Sequence, residues 1–242
     1  MLKRKARKIL RTIICKIRYS GNDRYCPLCD RYFSRFLAAG VEKRQDAKCP
    51  WCGSRERDRL VWLFYQRQIE LFKKSLEKPF LHVAPEKMME EKLRIVLAEK
   101  YISADLYDRR ADVKMDITHI EYPDKSFSVI YCSHVLEHVQ DDLMAMREFK
   151  RILDYDGWAV FMVPIAGDTT IEDPAVTDPD ERLRLFGQKD HVRIYGLDFK
   201  KRLENSGFDV KQIQSKDFLS TNDINLMGIT EEAGDIYYCE RA

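Results

Sequence analysis

The chain has 242 residues, enough for one full α/β domain and a small additional module. Hydrophobic residues make up 45% and aromatic residues 11%, so a sizeable core can form, while 42 basic against 40 acidic side chains leave a net charge of only +2. That balance argues against a protein devoted to nucleic acid, and no apolar run approaches the roughly eighteen residues of a membrane span.

The start carries eight basic residues between Lys3 and Arg18 and no acid, with Ile9, Leu10, Ile13, Ile14 and Ile17 as its apolar positions. Residues 1–20 therefore read as a basic amphipathic segment. It is suited either to peripheral contact with an anionic membrane or to packing its isoleucine stripe on the domain. It lacks the continuous apolar core and cleavage site of a secretory signal. Seven cysteines, an odd number with two C-x-x-C pairs, fit a reducing compartment better than a disulfide framework, so a cytoplasmic location is expected.

Residues 21–54 change character. Cys26-Pro-Leu-Cys29 and Cys49-Pro-Trp-Cys52 are two knuckles separated by nineteen residues. Four thiolates on two tight turns complete a tetrahedral Zn²⁺ site, and the metal supplies folding energy that so short a segment lacks. A redox dithiol would need one pair and a thioredoxin-like βαβ context, which is absent. Residues 55–78 contain no Gly or Pro, repeat Leu and Phe, and predict a linking helix that Pro79 ends.

From residue 79 strands and helices alternate. Strands are expected at Phe80–Val83, Ile102–Ala104, Val113–Met115, Phe127–Cys132, Gly157–Val163, Val210–Gln214 and Ile236–Cys239. Helices are expected at Lys87–Tyr101, Asp141–Leu153 and Leu197–Asn205. This order predicts an α/β fold with a mainly parallel sheet covered by helices on both faces. Residues 164–196 interrupt it. They are polar, carry Pro174 and Pro179, and follow a central strand, as a substrate lid would. They include Phe186-Gly-Gln-Lys-Asp-His-Val-Arg-Ile-Tyr-Gly196, a concentrated set of hydrogen-bonding groups.

Acids fall at consecutive strand ends. Asp105 follows the second strand and lies nineteen residues after Glu86, near the spacing at which an acid accepts ribose hydroxyls. Asp116 follows the third, where a carboxylate can accept from an adenine amino group. The pair favours a nucleoside-type ligand. Together with Tyr122-Pro-Asp-Lys-Ser-Phe-Ser-Val-Ile130, His134-Val-Leu-Glu-His138, Arg151-Ile-Leu153, Asp156-Gly157 and Val163-Pro164, these positions make residues 80–240 resemble the class I S-adenosylmethionine-dependent methyltransferases of the small-molecule and sugar type. The resemblance implies a seven-stranded Rossmann-like sheet. It places S-adenosylmethionine against His82, Ala84, Glu86, Asp105, Leu106, Asp116, Ile117, Ser133 and His134. One departure stands out: the first turn, Ala84-Pro85-Glu86, has no glycine where the family usually has several, and His82 stands where an acid is common.

A hydroxyl acceptor needs a base near neutral pH, and His138 and His191 are the candidates. His134, Glu137 and His138 also put nitrogen and oxygen ligands on one helical turn, with His191 as a later member of a second metal site. The near-neutral domain and acidic insertion favour a sugar, glycan precursor or other small-molecule hydroxyl as acceptor. An RNA acceptor gripped by the cysteine module and basic start, or a non-catalytic binding protein on this fold, are the alternatives.

Overall fold

A computed structural model of the chain describes residues 17–40, 43–69, 71 and 76–242. The basic segment proposed for residues 1–20 therefore lies almost wholly outside the described residues, as does part of the expected 55–78 helix. In chain order the strands are β1 (Arg24–Cys26), β2 (Arg31–Phe33), β3 (Leu37–Ala39), β4 (Arg44–Lys48), β5 (Phe80–Val83), β6 (Tyr101–Asp105), β7 (Val113–Lys114), β8 (Phe127–Ser133), β9 (Leu153–Met162), β10 (Ile171–Glu172), β11 (Arg193–Ile194), β12 (Phe208–Ile213) and β13 (Ile236–Arg241). The helices are α1 (Glu56–Arg67), α2 (Lys87–Leu97), α3 (Asp142–Ile152), α4 (Pro179–Phe186), α5 (Phe199–Asn205) and α6 (Thr221–Leu226).

The chain divides into two compact units. One takes in Met1–Lys74, Glu86–Lys92 and Gln214–Ala233, the other Ser75–Pro85, Leu93–Ile213 and Gly234–Ala242. In the first, β1 pairs with β2 and β3 with β4, both antiparallel. The second holds a seven-stranded sheet in the order β12-β13-β9-β8-β5-β6-β7. The five strands from β9 to β7 run parallel, and β13 and β12 close that edge antiparallel. The expected α/β sheet is thus present, with its antiparallel end.

The pleat sorts the central strands. Leu81 and Val83 of β5, Ile130 and Cys132 of β8, and Ala159 and Phe161 of β9 join one buried cluster with Phe149 of α3 and Leu203 of α5. Side chains of opposite parity, Phe80 and His82, meet Tyr101 and Tyr131 on the other face. Both faces of β5 and β8 are buried, so these strands read as apolar runs without alternation. Strand order reverses between β5 and β8, and ligands of open α/β sheets bind outside the strand ends at such a switch point.

Three boundaries differ from the sequence expectation. The helix expected to reach Tyr101 stops at Leu97 because Ala98 takes a left-handed φ of 47°, and Tyr101 already pairs as the first residue of β6. Strand β9 starts at Leu153, four residues before Gly157: its register with β8 jumps from Phe127–Leu153 to Val129–Trp158, a bulge. Gly157 fits that bulge because a Cβ there would meet the Ser128 carbonyl at 2.9 Å. The third strand ends at Lys114, so Asp116 sits in a turn.

The turn after β5 supplies the backbone that its sequence lacks the residue for. Ala84 adopts φ 47°, with its N–H donating to the Ala104 carbonyl at 2.8 Å. An L-residue is strained there by about 1–2 kcal/mol. Ala84→Gly is therefore expected to be neutral or stabilising by up to about 1 kcal/mol in urea unfolding. Ala84→Val, β-branched at positive φ, should lose about 1–3 kcal/mol.

Candidate functional site

In the first unit Cys26 ends β1 and Cys29 lies in the turn to β2, while Cys49 and Cys52 follow β4. Their four sulfurs lie within 4.8 Å of one another, with Cys26 and Cys52 at 3.5 Å and Cys29 and Cys49 at 3.8 Å. A tetrahedron of sulfurs around zinc at about 2.3 Å has edges of about 3.8 Å, so this donor set fits the ion. Ser54 Oγ lies 3.2 Å from Cys26 Sγ and 3.1 Å from Cys52 Sγ. Behind them Arg59 of α1 is fully buried. It donates to the carbonyls of Ala47, Ser54, Met227 and Gly228 and stacks over Phe36. One guanidinium thus ties the second knuckle to the 214–233 segment. The motif reading did not register it, because an arginine in a helix ordinarily reads as surface.

The same unit holds a pocket of about 280 Å³ lined by Lys48, Arg55, Arg57, Asp58, Glu86 and Lys87 among others. Glu86, expected at the cofactor, belongs to this unit and lies 4.0 Å from Arg57 Nε. Asp58 caps α1 by accepting the Arg55 N–H at 2.8 Å. Burial, and then the neighbouring Glu86 charge, push its carboxyl up to about 6.

In the second unit the strand ends carry the remaining nucleoside-site residues. Asp105 Oδ1 accepts the N–H groups of Tyr107 and Asp108 at 2.7 and 2.8 Å, which fixes the carboxylate at the end of β6 beside half-buried Leu106. Asp116 is exposed and accepts from the Thr118 hydroxyl and N–H, which hold its carboxyl below the usual range; Ile117 next to it is buried. Ser133, the last residue of β8, is buried, and its hydroxyl has no hydrogen-bond partner among the described residues. His134 follows in a left-handed conformation with Nδ1 3.3 Å from Glu137 Oε1. His82 departs from expectation. It is 0% exposed, its Nδ1 is 2.7 Å from the Tyr101 hydroxyl and its ring packs on Tyr131, so it serves the sheet interior and not a ligand surface.

The insertion is ordered around these strand ends. Asp178 caps α4, Pro179 opens it and Gly187 closes it in the left-handed conformation, a start and stop legible in the sequence but not used in reading it. Strand β11 pairs with β10, and Ala166 N–H donates to the Tyr195 carbonyl. Arg193 is 3% exposed and donates to the carbonyls of Leu136, Val139 and Gln140, while pairing with Glu172 at 2.8 Å. Asp142 receives Arg202 at 2.8 Å and the Tyr195 hydroxyl at 2.7 Å. None of these five side chains was singled out from sequence as a site residue.

This clasp brings the two catalytic candidates together. The rings of His138 and His191 stand 4.7 Å apart at 83°, and the Val192 N–H donates to the Glu137 carbonyl. His138 Nδ1 lies 3.2 Å from the Asp190 carbonyl and His191 Nδ1 3.1 Å from that of Phe186. Carbonyls only accept, so these contacts place the ring proton on Nδ1 and the lone pair on Nε2. Burial pulls His191 below the ordinary histidine range.

A family model described as a methyltransferase domain matches residues 86–213, more than half of the sequence. The chain belongs to the methyltransferase-domain family. With the family comes its class: an S-adenosylmethionine-dependent transferase on a Rossmann-like sheet. Among solved structures the chain is similar to YcgJ of Bacillus subtilis, at 16% identity over 74% of this chain and 93% of that one, with a TM-score of 0.45. It is also similar to Haemonchus contortus phosphoethanolamine N-methyltransferase 2, solved with phosphomonomethylethanolamine and S-adenosylhomocysteine, at 12% identity over 76% of this chain and 53% of that one, TM-score 0.49. No curated protein matches the sequence. The match to the methyltransferase domain starts at residue 86, after the glycine-free turn. Among the described residues no helix is long and apolar enough to cross a membrane.

The Asp58 carboxyl gives a pH test. Its value is raised by folding, so its contribution to stability is fully present below about 4 and lost as pH rises through about 6. Asp58→Asn keeps an oxygen for the cap and removes this term. The melting temperature of the variant, relative to the parent, should rise between pH 4 and pH 7.5.

Proposed function

We propose that this methyltransferase methylates a hydroxyl of a sugar, a glycan precursor or another small molecule, in the cytoplasm. The observation that carries the reading is the pair of imidazoles at the end of β8. Both commit their ring protons to backbone carbonyls and keep Nε2 lone pairs for a hydroxyl. Lone pairs of this kind assist removal of a hydroxyl proton and do little for an amine that attacks unprotonated.

S-adenosylmethionine supplies a methyl group on a sulfonium, activated for in-line displacement. The orphaned Ser133 hydroxyl and the left-handed turn at Ala84, both beside the switch point, fit such a ligand. Asp105 would accept ribose hydroxyls, with Leu106 beside them. Asp116 and Ile117 would face the adenine, and Ser133 and His134 the path toward the sulfonium. The insertion 164–196 would cover the acceptor and exclude water. Zn²⁺ on Cys26, Cys29, Cys49 and Cys52 would brace the first unit. The cysteines among the described residues are all free thiols, which suits a reducing compartment. Residues 1–20 would add contact with an anionic membrane surface.

Two measurements test this. Calorimetry with S-adenosylhomocysteine should show one site per chain, and no heat at high concentration of both would overturn the transferase reading. Labelled methyl from S-adenosylmethionine should reach sugars or nucleotide-linked sugars in an acceptor panel. Transfer to RNA instead would overturn the acceptor assignment alone. His138→Ala and His191→Ala should each lower turnover by roughly 100-fold or more without changing cofactor affinity.

Metal content checks the cysteine module separately. One zinc per chain is expected, and its removal by a chelator should unfold the first unit cooperatively. Well under one zinc per chain in freshly purified protein would exclude the site.

A further inference from the structure

We infer that Glu137, His138 and His191 form a binding site for a divalent transition-metal ion. One ligand atom from each residue can be chosen so that all three lie within 4.8 Å of one another. Proximity alone would not carry the inference, but the surroundings do. Metal-binding histidines donate the other ring N–H to a carbonyl or carboxylate, which fixes the tautomer and aims the lone pair. Both histidines do this: His191 Nδ1 at the Phe186 carbonyl, and His138 Nδ1 at the Asp190 carbonyl, with the Asp190 carboxylate 3.4 Å away.

Glu137 adds an independent sign. It is 1% exposed, and its Oε2 has no hydrogen-bond partner among the described residues. A buried carboxylate oxygen left unpaired is costly, and a cation resolves that cost. The near-perpendicular rings let two nitrogens approach one centre from different directions. His138 lies at the exposed edge and gives an ion a way in. Two nitrogens and one carboxylate oxygen suit first-row divalent ions such as Mn²⁺, Fe²⁺, Co²⁺ or Zn²⁺. His134, grouped with these residues from sequence, is outside the trio, although its Nδ1 touches the other oxygen of Glu137.

Ion binding stands on this ligand geometry whatever the acceptor. Its use in methyl transfer rests on the reading given above and alters it in one respect. With an ion seated, the Nε2 lone pairs are ligands, and the hydroxyl loses its proton because the ion lowers its pKa.

The test uses the full chain titrated with Mn²⁺, with free ion read from its electron paramagnetic resonance signal. Four thiolates are a poor match for this hard ion, so the cysteine module does not compete. One bound Mn²⁺ per chain is expected, with affinity at least about tenfold weaker in Glu137→Gln and in His191→Gln. His138→Gln, at the exposed edge, serves if a buried variant fails to fold. No bound Mn²⁺ in the parent protein, or unchanged affinity in the folded variants, would overturn the site. Calorimetry with S-adenosylhomocysteine on the same samples separates the two claims: Mn²⁺ bound without cofactor heat defeats the transferase reading and leaves the metal site standing.

Discussion

The candidate site depends on one buried guanidinium. Arg193 takes three successive-turn carbonyls, those of Leu136, Val139 and Gln140, and its charge is answered by Glu172 and Asp142. A lysine, with a single nitrogen, could not span those acceptors. The contact does two things at once. It satisfies backbone groups in a short irregular segment that could not pair within the sheet, and it fixes residue 191, two positions earlier, against Glu137 and His138. The sheet provides the platform, but the chemistry at the end of β8 is assembled by the insertion.

Much of the fold was legible because its strands are short, β-branched and separated by helices with clear periodicity. Phe80–Val83 and the strand from Phe127 stand where their composition puts them. The cysteine spacing likewise led directly to four converging sulfurs. What was illegible followed from burial of polar groups against the usual trend. Arg59, Arg193 and His82 look like surface or ligand-facing residues in a linear reading, and each is enclosed by partners far away in the chain. The bulge before Gly157 and the early stop at Ala98 were hidden for another reason. Both depend on local backbone conformations that an ordinary Leu or Ala does not advertise.

The glycine-free turn after β5 shows how weak a negative sequence signal can be. Its missing glycines suggested a lost cofactor site. The backbone nevertheless takes the left-handed conformation at Ala84, held by the hydrogen bond to Ala104. The fold thus carries a modest local strain to keep a geometry normally delegated to glycine, and retention of strain is common near functional sites. Proline at the next position removes a donor, so any ligand contact there has to come from other groups.

The separation in sequence between His138 and Asp190, 52 residues, has a bearing on how the molecule fails. The trio of Glu137, His138 and His191 is no part of the seven-stranded ladder and exists only while that loop is closed. Opening it breaks the clasp and a two-residue strand pair, leaving every strand of the main sheet paired. Such sub-global opening has a lower free energy than unfolding of the whole domain. Competence at the end of β8 is therefore lost at milder heat or denaturant than the fold, and a sample that is still folded by its spectrum is not for that reason an active one.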